Sequence, residues 1–269
     1  MMLDLRHVGC RYGDRFVLRD ITVAIEDGAL VGVIGPNGSG KTTLIRAVTR
    51  AIGLAEGEVL LKGKPLGMLS FKEIARQVGV VGRLYDLDVR MRVADLVLLG
   101  RIPHRKGLRL MERRSDLDIA HEAMDLTGTL NLGSRFVDSL SSGERQLAFI
   151  ARALAQEPDL LLLDEPTSHL DIGHQARVLD LIRRLNREKG LTVLVVLHDL
   201  NLASQYCDRL LLLNDGAIRK DGTPEEVLTY ATIEEVYHTP VVVAKSPVSS
   251  RPGVFLIPEE ETLKPSSPG

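Results

Sequence analysis

The sequence predicts an α/β chain: a parallel sheet that binds phosphate at its strand ends, preceded by an antiparallel β subdomain and interrupted by an inserted α-helical subdomain. Three observations predict it. The apolar run Leu30–Ile34 leads through Gly35-Pro36-Asn37-Gly38-Ser39-Gly40-Lys41-Thr42-Thr43 into Leu44-Ile45-Arg46-Ala47-Val48, which reads as strand, glycine-rich loop and helix. Two further apolar runs, 160–163 and 191–197, end in Asp164-Glu165-Pro166 and in His198-Asp199, placing reactive side chains where parallel strands end. From Val89 to about Ala155 strand-like alternation vanishes and helical spacing takes over, as in Ile119, Ala123 and Leu126.

Taken in order, residues 3 to 34 alternate in short stretches: Leu3-Asp4-Leu5, Val8 to Tyr12, Phe16-Val17-Leu18 and Ile21 to Ile25, with Gly13-Asp14 as one turn. Tyr12 offers an aromatic face for stacking on a base, and it equally suits a half-buried strand. In the glycine loop, the backbone turns tightly enough for successive amide N–H groups to point at one phosphate chain. Asn37, Gly38, Ser39, Gly40, Lys41, Thr42 and Thr43 form that cradle. Lys41 brings a fixed positive charge to the β and γ phosphates, Thr42 a hydroxyl for magnesium, and the helix that follows its positive dipole end. A turn that merely joins strand to helix has no need of Lys-Thr directly after its last glycine. The loop points to a nucleoside triphosphate and is silent on what the energy drives.

Gly57 to Gly63 reads as another strand and turn; Ser70 to Gln77 as a helix with Glu73 completing a capping box, leading into the strand Val78-Gly79-Val80-Val81. Arg109 to Asp118 reads as a charged, solvated stretch. The helical insert ends in Leu140-Ser141-Ser142-Gly143-Glu144-Arg145-Gln146, followed by Leu147, Ile150, Ala151 and Leu154 on one face. Ser141 and Glu144 again have capping-box spacing. A helix start with a serine hydroxyl and a glycine-exposed backbone is also a phosphate site, and a second one must serve either a second anion or a partner's nucleotide.

The four leucines 160–163 between Asp159 and Asp164 read as a central strand covered on both faces. Neighbouring strand residues point to opposite faces, so Asp164 and Glu165 have different jobs. Asp164 faces the magnesium, directly or through water. Glu165, with a reference pKa of about 4.3, is ionised at pH 7 and suited to orient or deprotonate an attacking water. His198, at the end of the neighbouring run and with a reference pKa of about 6.5, can bond the γ phosphate while largely neutral. A lone histidine is more often structural; its strand-end position raises the functional reading. Val178, Leu181, Ile182 and Leu185 form the inward face of a helix, Asn214-Asp215-Gly216 turns a hairpin, and Thr223-Pro224 starts a short helix. Five of the twelve prolines lie between Pro247 and Pro268, so after a short strand pair the last ten or so residues are expected to fray.

Composition narrows the function classes. A net charge of −2 gives no electrostatic reason to expect nucleic acid. No run of about 18 apolar residues exists to cross a membrane. The charged start, Met1 to His7, has no apolar block of an export signal, and two cysteines, Cys10 and Cys207, without metal-ligand spacing suit a reducing compartment. The cytoplasm is the expected location.

Together these pieces resemble the ATPase subunit of an ABC (ATP-binding cassette) transporter over nearly the whole chain. The phosphate loop alone is widely shared. Combined with Leu-Ser-Ser-Gly-Glu-Arg-Gln at 140–146, Leu-Leu-Leu-Leu-Asp-Glu-Pro at 160–166, Ser-His-Leu-Asp at 168–171 and His198, it is specific. Finer similarity, to importers of iron-siderophore complexes, haem and vitamin B12, rests on Leu99-Gly100-Arg101-Ile102-Pro103-His104, on residues 167–175 and on Leu197-His198-Asp199-Leu200-Asn201-Leu202-Ala203. The resemblance implies a P-loop NTPase (RecA-like) core over 1–88 and 156–240, with the helical insert at 89–155 and a C-terminal extension at 241–269. It implies a head-to-tail homodimer, each ATP and Mg2+ lying between one chain's phosphate loop and the other's Ser141, Ser142 and Gly143. Tyr12 becomes the base-stacking aromatic, Glu165 the catalytic base, His198 the γ-phosphate sensor and Asp171 a contact across the dimer. Integral membrane permease subunits would dock near residues 83–105, an extracytoplasmic substrate-binding protein would act through them, and the chain would sit on the inner face of the cell membrane.

Two positions depart from the family pattern. Ser142 stands where the family has glycine, a mild change between the retained Ser141 and Gly143. Arg83 stands where the family has a magnesium-ligating glutamine after the strand that ends at Val81. With five donors and a permanent charge, an arginine cannot coordinate magnesium. A different class of reading is a soluble ABC-type ATPase of macromolecular remodelling without a membrane partner; a P-loop kinase would have no use for the Ser141–Glu144 site.

Overall fold

The computed structural model describes residues 1–82, 90–105 and 114–258. The N-terminal alternation folds as two long antiparallel strands, β1 (Leu3–Tyr12) and β2 (Arg15–Ile25). The breaks near residues 6–7 and 19–20 are bulges rather than turns. His7 and Asp20 take left-handed φ of 50° and 49°, the register shifts beside them, and His7 Nδ1 lies 2.7 Å from Asp20 Oδ1. A bulge bends a ribbon without ending it. β3 (Leu30–Ile34) then carries the chain to the glycine loop and α1 (Lys41–Val48), after which β4 (Glu56–Leu61) and β5 (Lys64–Pro65) complete a sheet in the order β2-β1-β4-β5.

Ser70 caps α2 (Phe71–Gln77) with the reciprocal bonds of a capping box, and β6 (Val78–Val81) follows. The described parts of 90–155 are helical: α3 (Val93–Leu98), a 3-10 turn over Leu99–His104, α4 (Arg114–Thr127) and α5 (Ser142–Leu154). The stripe expected through Ile119, Ala123 and Leu126 is rotated. Ala120, Ala123, Met124 and Thr127 are buried, while Ile119 and Leu126 are half-buried and line a 430 Å3 cavity with Leu154, Leu185 and Leu191.

The stretch Arg109 to Asp118 lies outside the described residues up to 113, and beyond it one charge is not solvated. Asp116 is buried and accepts from Arg101 Nε at 3.0 Å. Arg101, 5% exposed, also donates through Nη1 to Ala155 O at 2.6 Å and Glu157 Oε2 at 2.7 Å. His104 Nε2 lies 2.8 Å from Gln156 O. The turn at 99–104 is thereby pinned to the end of α5.

The rest of the chain supplies β7 (Leu160–Asp164), α6 (Ile172–Lys189), β8 (Thr192–Val196), α7 (Leu200–Tyr206), β9 (Arg209–Asn214) and β10 (Ala217–Gly222). The larger sheet runs β10-β9-β3-β8-β7-β6, parallel throughout except at β10. Leu161, Leu163, Val193 and Val195 join a core with the helices; Leu160, Leu162, Leu194 and Val196 join a second core with the four-stranded sheet and α1. Burial on both faces is why these strands read as unbroken apolar runs. Asp215 and Gly216, at φ 47° and 77°, make the primed two-residue turn between β9 and β10.

After α8 (Pro224–Val227) and α9 (Tyr230–Tyr237), the strands β11 (Val241–Lys245) and β12 (Pro252–Leu256) form a ribbon against α7. Asn201 exchanges two bonds with the Val254 backbone, at 2.7 and 3.1 Å, and Ser204 Oγ donates to Pro252 O at 2.6 Å. Arg251 donates to Ser204 O at 2.7 Å and to Asp208 Oδ1 at 3.0 Å. Both cysteines are buried, and burial pushes the Cys207 thiol up to about 12, as inert thiols should be. Among the described residues no helix is long and apolar enough to cross a membrane.

Candidate functional site: a phosphate cleft at the strand ends

The site begins where β3 leaves the sheet. Gly35 takes φ 143°, and a Cβ there would lie 2.0 Å from Leu213 O of the neighbouring strand, so only glycine can start this turn. Gly40, at φ 105°, caps α1, and the first amides of that helix face the cleft. Lys41 is 5% exposed and donates through Nζ to Gly35 O at 2.7 Å and Pro36 O at 2.8 Å, lying back along the loop it serves.

One strand end brings both acids to this loop, and a second brings His198. Thr42 Oγ1 donates to Asp164 Oδ1 at 3.2 Å, joining α1 to the last residue of β7. Glu165 is not the next strand residue: its φ of 55° turns it off the sheet, with its N–H still bonded to Val196 O at 3.2 Å. The two carboxylates do meet different neighbours, Thr42 and His198, but the backbone turn achieves this rather than strand alternation. Glu165 is 8% exposed; its Oε1 is 2.6 Å from His198 Nε2, and its Oε2 accepts from Ser168 Oγ at 3.2 Å. A half-exposed histidine thus meets a buried carboxylate at the mouth of the cleft.

Asn37, Gly38, Gly40, Lys41, Thr42 and Thr43 line a cleft of about 150 Å3 with Glu165 and His198. Gly38 and Val17 also belong to a groove of about 830 Å3 that holds Tyr12. A phosphate chain in the cleft would therefore carry its base into that groove. Tyr12 is 46% exposed, not half-buried in the strand, and its hydroxyl accepts from Arg46 at 3.0 Å. The groove adds Arg15, Arg19 and Arg219, which the sequence did not single out because they belong to no motif; only the fold gathers them from β2 and β10. Ser39 is buried in the loop, with no partner for its hydroxyl among the described residues.

Ser141, Ser142 and Gly143 line neither the cleft nor the groove. They start α5, where Ser141 Oγ accepts from the Glu144 N–H and the Glu144 carboxylate accepts from the Ser141 N–H at 2.9 Å. Those bonds hold Glu144 below the usual carboxylate range. The first-turn amides of Ser142 and Gly143 have no acceptor within the helix and remain available to an anion. Thr42 and Asp164 present two hard oxygens side by side, a fit for magnesium, which takes one or two protein oxygens and completes its shell with phosphate and water. Among the described residues no cluster of three His, Cys, Asp or Glu could cage a metal unaided. Arg83 lies outside the described residues.

Comparison with known proteins places this geometry. The family model described as ABC transporter matches residues 18–168. The ferric enterobactin transport ATP-binding protein of Escherichia coli is 42% identical over 90% of this chain and 89% of its own. A chain from an inward-facing ABC transporter assigned to the metal-chelate type superposes with TM-score 0.85 at 27% identity, covering 97% of this chain and 98% of that one. A bacterial ABC transporter cassette solved as a dimer gives TM-score 0.73 at 28% identity over 82% of this chain and 98% of its own.

Proposed function

Because the chain belongs to the ABC transporter family, as an ATP-binding subunit that hydrolyses ATP, we propose that it powers import of a metal chelate through a separate membrane permease, working as a head-to-tail dimer. The cargo class rests on the relatives, one named for ferric enterobactin and one assigned to metal chelates. Cargo identity would be read by the permease and by an extracytoplasmic binding protein. The observation that carries the paired reading is the split site: among the described residues, Ser141–Gly143 line neither the phosphate cleft nor the groove that holds Tyr12. Two copies placed head to tail would close each cleft with the other's helix start.

In that arrangement Lys41 and the loop amides hold the β and γ phosphates, and Tyr12 stacks on the base. Glu165 accepts the proton of the attacking water, and His198 would exchange its bond to Glu165 for one donated to a γ-phosphate oxygen. Such a base contributes on the order of 10²- to 10⁴-fold. Thr42 and Asp164 would hold Mg2+, which when bound offsets charge on the β and γ phosphates. Residues 1–88 with 156–240 act as the nucleotide-binding core, 89–155 as the insert that meets the permease, and 241–269 as an extension. Supporting that division, a groove of about 510 Å3 between α2 and the turn at 99–104 is lined by Phe71, Ile74, Leu99, Ile102 and Pro103. Phe71 is 66% and Ile102 51% exposed, an apolar face suited to a membrane subunit at the cytoplasmic surface.

The test is co-expression with permease subunits and purification in detergent. A stable complex whose ATP hydrolysis rises more than linearly with cassette concentration is expected. A fully active single chain that ignores every permease would return the remodelling ATPase. Arg83 provides a second check: Arg83→Gln restores the magnesium-ligating side chain of the family, and hydrolysis is expected to saturate at lower magnesium. An unchanged magnesium profile would show that Arg83 does not alter the magnesium dependence.

A further inference from the structure

Gly143 has a neighbour that its place at a phosphate site does not explain. A Cβ built there would lie 1.9 Å from His174 Cδ2, 2.4 Å from Cγ and 2.7 Å from Nε2. The imidazole of His174, in the first turn of α6, lies directly against the Gly143 backbone. Nor is the ring free to swing aside. Its Nδ1 is 2.8 Å from Asp171 Oδ2, while the His174 N–H donates to Asp171 Oδ1 at 2.8 Å, so one carboxylate caps α6 and tethers the ring together. These bonds hold the Asp171 carboxyl below its usual range, keeping the tether charged at neutral pH. Asp171 is 67% exposed at its side chain, and Ile172 beside it is 85% exposed, so this corner is open to a partner.

We propose that His174 is a positioning residue for ATP hydrolysis: its imidazole, tethered to Asp171, is the surface on which Gly143 rests, and it sets where the Ser142 and Gly143 amides meet the partner protomer's nucleotide. The proposal rests on the paired-cassette reading. It joins two parts of one chain that both face the partner, the start of α5 and the cap of α6. A contact at Asp171 is then transmitted over one side chain to the amides that close the other cleft. It also gives glycine at 143 a second reason. Phosphate approach demands a bare backbone, and so does the ring beneath it.

A double-mutant cycle separates these reasons. Gly143→Ala, His174→Ala and the double variant are compared for kcat, for KM and for binding of a fluorescent ATP analogue to the dilute monomer. Gly143→Ala is expected to lower kcat by roughly 10- to 100-fold, the cost of an ångström-scale misplacement, with monomer binding unchanged. The double variant is expected to return to within about 3-fold of His174→Ala alone, which is strong coupling on the cycle's scale. A double variant no more active than Gly143→Ala would overturn the proposal and leave phosphate approach as the whole reason for glycine. His174→Phe keeps a ring beneath Gly143 but lacks the nitrogen that bonds Asp171. It is expected to lower kcat by about 10-fold without moving KM, and native kcat would equally overturn the tether. Dimer formation by Glu165→Gln with ATP keeps the two readings apart. No dimer overturns both; a dimer with an additive cycle overturns only the role of His174.

Discussion

Glu165→Gln is expected to lower ATP hydrolysis by about 100-fold or more while leaving nucleotide binding intact. An amide of the same size cannot take a proton from water, yet it still accepts from Ser168 and fills the same volume beside His198. With bond cleavage stopped, ATP stays in the cleft and the closed pair should accumulate, visible by size-exclusion chromatography as a dimer only when ATP is present. Loss of activity without that dimer would overturn the paired-cassette reading. Retention of more than a tenth of the native rate would remove it as the base and direct attention to His198, which bonds it at 2.6 Å.

Arg101→Leu is expected to cost about 3–5 kcal/mol of stability in urea unfolding, the usual penalty for removing one partner from a buried ion pair. Asp116 would lose its bond from Arg101, and the carbonyl of Ala155 and the carboxylate of Glu157 would lose their shared donor. The variant that also carries Asp116→Leu should recover a large part of the loss, because two apolar groups need no counter-charge. A cost below about 1 kcal/mol for the single variant would place the pair in the solvated class, where exposed ion pairs belong.

How much of this was legible in the sequence follows from how local each signal is. The glycine loop, both capping boxes, the Asp215-Gly216 turn and the doubly buried strands are written in consecutive residues, and the structure has each where the pattern puts it. The misreadings arise where burial is decided by distant chain. Asp116 looks solvated among its charged neighbours, because nothing nearby reveals that Arg101 will reach it from 15 residues away. The gaps at Arg6-His7 and Arg19-Asp20 divide the sequence into short stretches, because a bulge interrupts alternation as a strand end does. The turn at Glu165 hides inside Asp-Glu-Pro. Only the backbone reveals that the glutamate leaves the sheet, and so comes within 2.6 Å of His198. At the site, reactive residues were readable by type and strand-end position. The arginines of the base-side groove and the ring beneath Gly143 were not, since they depend on which strands and helices become neighbours.

The ribbon of β11 and β12 has a consequence for how the protein is made. The helix that follows His198 spans only seven residues, too few to hold its shape without support. Its support comes from Arg251, Pro252 and Val254, some fifty residues later in the chain. During synthesis the phosphate loop, Asp164 and Glu165 therefore leave the ribosome long before the histidine opposite them is braced. On the roles proposed above, a chain stopped before residue 251 would keep the phosphate loop and both acids while lacking the bonds that brace the helix behind His198.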